Sequence, residues 1–66
     1  MVGVNSVVAL SSEMVEHAVG FHSREVFTVK DIYAGACGKL CTIENKHRCV
    51  INVPLNYWRE TSPEKN

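Results

Sequence analysis

The sequence lacks a charge excess. Seven lysines and arginines balance seven aspartates and glutamates over 66 residues. Many nucleic-acid binders are clearly basic, so neutrality counts against that class. It also lacks a basic residue ahead of its first apolar stretch, MVGVNSVVALSSE. That stretch makes a poor secretory signal, and serines interrupt it too soon for a membrane span. The cysteine count is three. Small secreted domains usually carry an even set used as staples. These absences lead to the expectation of a cytoplasmic protein with reduced thiols and no membrane contact. No internal repeat or low-complexity segment divides the chain. The expected organisation is one small helical domain over residues 1–59 and a polar, flexible tail, ETSPEKN, over 60–66.

Catalysis lacks its usual parts too. His17, His22 or His47 could each pair with a cysteine, but nothing supplies an oxyanion hole or an orienting partner. Chains this short rarely form a cleft, so no enzyme, catalytic residue or cofactor is expected. Cys37-x3-Cys41-x5-His47-x-Cys49 offers four nitrogen or sulfur ligands. Its spacing departs from the usual zinc pairs, and no metal is expected. A domain near 60 residues buries only about 60% of the surface its unfolded chain exposes. The core is therefore thin, and a dimer or a partner would help it.

What is present reads as helical. In Phe27-Thr28-Val29-Lys30-Asp31-Ile32, Thr28 can cap a helix and Asp31 sits at the third position, able to reach back. Phe27 and Ile32 have the spacing of a hydrophobic staple. This predicts a helix from Thr28 to about Cys37. A helix over 12–21, capped near Ser11–Ser12, precedes it. Gly38-Lys39-Leu40-Cys41 reads as a turn. A third helix follows from Ile43 to about Val53, capped by Thr42 and stopped by Pro54. Val53, Leu55 and Tyr57 then alternate as a short strand. Tyr57 and Trp58 read first as cover for a small core. A competing reading makes residues 40–53 a β-hairpin: Leu40–Ile43, a turn at Glu44-Asn45-Lys46, then Arg48–Val53, since short apolar runs cannot be assigned by periodicity alone.

This order of helices resembles the helix-turn-helix of small bacterial and phage transcription regulators, the winged-helix variety above all. Ile32 and Ile43, eleven residues apart, match the usual separation of two core positions in that family, and LNYWRE is similar to a strand leading into a rudimentary wing. The resemblance implies a mainly α, three-helix fold that binds double-stranded DNA as a homodimer and regulates transcription. Residues 43–53 would then enter the major groove. Thr42, Asn45, Arg48 and Asn52 would face the bases, and Lys39, Lys46 and Arg24 would meet phosphates. The plain alternative for each of these residues is a solvated polar face. The alternative function is a small adaptor or inhibitor that binds a protein partner through an apolar helix.

Overall fold

The computed structural model describes residues 2–61. It is an all-β structure. Five strands, β1 (Val7–Leu10), β2 (Val26–Gly35), β3 (Gly38–Glu44), β4 (Cys49–Pro54) and β5 (Trp58–Glu60), are joined by two short 3₁₀ turns, Ser12–Met14 and Leu55–Tyr57. The strands form one antiparallel sheet in the order β4-β3-β2-β1-β5. No α-helix occurs among the described residues, so the three-helix, helix-turn-helix and winged-helix expectations are overturned.

The reason is clearest in β2. Phe27 and Val29 are almost wholly buried, two residues apart. A strand places such residues on one face, whereas a helix would set them about 200° apart. β2 lies between β1 and β3. Thr28 pairs with Val7 on one side and Glu44 on the other. Pairing on both edges satisfies the backbone that the Thr28 cap was expected to serve. Asp31 does make a local bond, but its carboxylate accepts from the Ile32 N–H at 3.0 Å. It sits beside Lys30, the extra residue of a bulge between Val29 and Asp31.

The other helices fail likewise. Ser11 does cap, accepting the Glu13 N–H at 3.2 Å, but only a single 3₁₀ turn follows. Gly38–Cys41 is not a turn. It opens β3, and the chain reverses one step earlier, through Ala36 and Cys37 between the paired Gly35 and Gly38. The expected third helix is the end of β3, a turn over 45–48 and β4. The hairpin reading of residues 40–53 therefore describes the molecule. Leu55–Tyr57 is a 3₁₀ turn in place of the expected strand, and the strand comes after it. Of the expected tail, Glu60 ends β5 and the Thr61 N–H donates to the Val7 carbonyl at 2.8 Å. Residues 62–66 lie outside the described residues.

Val8 and Leu10, Phe27 and Val29, Cys41 and Ile43, Val53 and Trp58 form one core with Ala18. Five flat strands would span about 19 Å at the usual spacing. Yet Val53 of edge strand β4 and Trp58 of edge strand β5 share this cluster. The sheet must therefore curl, so that its two edges bury the same residues. Phe21, Phe27 and Trp58 stack edge-to-face inside the curl, with centroids 5.1–5.9 Å apart. Among the described residues, no helix is long and apolar enough to cross a membrane.

Candidate binding groove

Strand pairing decides what lies outside the curl. Cys41 pairs with Val53, and both point into the core. Their neighbours Leu40 and Pro54 also pair, so they lie side by side on the opposite face. Proline is tolerated there because β4 is an edge strand. Past Pro54 the chain turns through Leu55–Tyr57, and the Trp58 N–H closes that turn on the Leu55 carbonyl. The Ser11 N–H donates to the Tyr57 carbonyl at 2.8 Å, tying the turn to the end of β1. Burial of Trp58 fixes the exit.

These restraints leave a concavity of about 500 Å³ between the β2–β3 hairpin and the second 3₁₀ turn. Cys37, Lys39, Leu40, Pro54, Leu55, Asn56 and Tyr57 line it, with Gly38 at the tip. Its size falls within the range of ligand pockets. The wall is mostly apolar. Lys39 is the only charged lining residue, and no carboxylate or imidazole is among the residues of that wall. The titratable groups on the wall are the Cys37 thiol, the Lys39 ammonium and the Tyr57 hydroxyl. Such a wall offers apolar surface and a few hydrogen-bonding groups.

A second cluster sits at the other end of β3. Arg48 grips Glu25 with two donors, Nη2 to Oε1 at 2.7 Å and Nε to Oε2 at 3.1 Å. Nη2 also donates to the Gly20 carbonyl at 2.9 Å. The guanidinium lies over the rings of Phe21 and Phe27, at 5.0 and 5.4 Å. Asn45 completes the knot. Its Oδ1 accepts the His47 and Arg48 N–H groups, and its Nδ2 donates to Glu25 and to the Val26 carbonyl. The Arg48 hydrogen bonds hold the Glu25 carboxyl below the usual carboxylate range, with help from Asn45 and against the opposing effect of burial. This cluster pins the long β1–β2 connection onto the sheet.

The residues expected to share one DNA-facing helix are scattered. Asn45 and Arg48 spend their side chains on the knot. Thr42 is half-buried on β3, paired with Asp31. Asn52 sits at a bulge opposite Thr42, with φ +58°, and exchanges two bonds with the Tyr33 hydroxyl, at 2.6 and 2.8 Å. Lys46 is exposed in the β3–β4 turn, and Arg24 is exposed in the β1–β2 connection. Only Lys39 reaches the groove. Leu40, Pro54, Leu55 and Asn56 carry no binding role in the sequence reading, and Tyr57 reads there first as core cover, with stacking on a base or a partner as the second possibility. Pro54 reads from the sequence as a helix stop and Leu55 and Tyr57 as alternating strand residues, and nothing local sets them beside Leu40. The three thiols are free. Cys41 is buried, which pushes its thiol pKa up, while Cys37 and Cys49 are exposed. Among the described residues, no group of histidines, cysteines and carboxylates could hold a metal.

No known protein family, curated protein or solved structure matches this chain.

Proposed function

We propose that this chain is a small, non-catalytic interaction module that takes an extended segment of a partner protein into the groove beside Leu40, Pro54, Leu55 and Tyr57. One observation carries the reading. An apolar concavity on the curled sheet is built from Leu40 and Pro54, whose strand neighbours Cys41 and Val53 form the core, and from the Leu55–Tyr57 turn packed against that core. It is thus held rigidly without being filled by the protein itself. Preformed, mostly apolar grooves with a few polar groups are the usual form of a binding site. Three free thiols, two of them exposed, support a reducing compartment such as the cytoplasm.

Duplex DNA draws less support. Lys39 and Lys46 stand at opposite ends of β3, about 20 Å apart for a strand of that length, and the chain is neutral overall. The two readings separate in one experiment. Binders are selected from a random twelve-residue display library and titrated into isotope-labelled protein. Backbone shifts should concentrate at Leu40 and Leu55–Tyr57, and Leu40→Glu should weaken binding more than ten-fold. Binders that perturb another surface would overturn the groove. A failed selection, with salt-reversible shifts at Arg24, Lys39 and Lys46 on adding a generic duplex, would move the function to DNA.

A further inference from the structure

Three groups on the groove wall can donate hydrogen bonds: the Lys39 ammonium, the Asn56 amide and the Tyr57 hydroxyl. Among the described residues none of the three side chains has a hydrogen bond or ion pair within the protein. The contrast with the rest of the surface is informative. Lys30 stands 4.0 Å from Glu44, Arg48 is spent on Glu25, and Tyr33 is spent on Asn52. The β2–β3 hairpin presents its cation with no carboxylate on the same wall. The groove wall thus combines apolar residues with three side-chain donors, one of them positively charged.

We infer that the groove selects extended peptide segments in which an apolar side chain is accompanied by an acidic one. The apolar side chain fills the space between Leu40, Pro54 and Leu55, and the carboxylate meets Lys39. This rests on the proposed groove reading and adds its selectivity. Charge complementarity carries it. An acidic neighbour finds a cation with no competing partner, whereas a basic neighbour meets like charge and no compensating carboxylate. The ion pair is exposed, so its effect is modest. Pairs of that kind change affinity roughly two- to five-fold and weaken with salt.

Three pools of labelled nine-residue peptides test this. All carry leucine or proline at alternate positions, with glutamate, glutamine or lysine between them. Binding is read by fluorescence anisotropy at low salt, and the site is checked by backbone shifts. The glutamate pool should bind about two- to five-fold tighter than the glutamine pool, and the lysine pool weakest. Lys39→Met should bring the three pools together while keeping apolar binding, and Lys39→Glu should reverse the order. Lys39 is exposed, and an unchanged backbone spectrum would confirm that the variants fold. Equal binding of all pools in the groove would overturn the acidic selectivity and leave the groove reading standing. Binding by no pool, or binding outside the groove, would remove both.

Discussion

Arg48 shows how much one side chain does here. Its guanidinium joins a carboxylate, a carbonyl and two aromatic faces, linking the β3–β4 turn to the β1–β2 connection. The sequence reading noticed Arg48 and Asn45 as polar and placed them outside. It could not see that Glu25, twenty-three residues earlier, would meet Arg48 across the sheet. Arg48→Ala should cost about 1–2 kcal/mol, because Glu25 loses charged hydrogen bonds near a partly buried position. In a domain of this size that lowers Tm by roughly 5–15 °C, measurable by thermal unfolding. Arg48→Lys should recover only part of it, since an ammonium lacks the planar fork that stacks on Phe21 and Phe27. Acid should act on the same bond. The folded Glu25 pKa lies below its ordinary 4.5. Its stabilisation is therefore complete above pH 4.5 and lost as pH falls through the lower folded value. The stability gap between the wild type and Glu25→Gln should narrow across that range in denaturant titrations at stepped pH.

At the scale of the element, Phe27-Thr28-Val29-Lys30-Asp31-Ile32 carries cap, acid and staple spacings that favour a helix locally. Each is worth about 1 kcal/mol or less. Burying Phe27 and Val29 on one face is worth several times that, at roughly 1.5–3 kcal/mol per large side chain. The alternation was present in the sequence, but its weight came from partners in β1 and β3. The 40–53 hairpin was legible because its strands lie close in sequence. The groove was not, because the Leu55–Tyr57 turn that completes it is set by the distant pairing of Trp58 with Leu10 and by the Ser11 N–H on the Tyr57 carbonyl. Gly35 tests that geometry. A Cβ there would stand 2.8 Å from Leu40 Cγ and Cδ1 and 2.9 Å from the Gly38 carbonyl. The leucine can swing aside, but the carbonyl is backbone. Gly35→Ala should therefore cost about 1–3 kcal/mol. It should also shift the Leu40 resonances and weaken groove binding, both visible in one spectrum.

At the scale of the whole molecule, the curl buries one thin core and leaves β4 and β5 as edges. β4 is not straight. Ile51 and Asn52 together oppose Thr42, with Asn52 in the left-handed region, and Pro54 closes the strand. A β-branched residue at φ +58° is strained, so Asn52→Val should favour loss of the bulge. That matters because the chain has no net charge to keep copies apart, and Ile51 stands 63% exposed on this same edge. A straightened β4 would offer a regular row of unpaired N–H and C=O groups beside an exposed isoleucine, the template on which fibrils grow. Asn52→Val should seed thioflavin-positive aggregates at concentrations where the wild type stays clear. The kink at Asn52 is then a guard on colloidal solubility, supplied by shape where charge is absent.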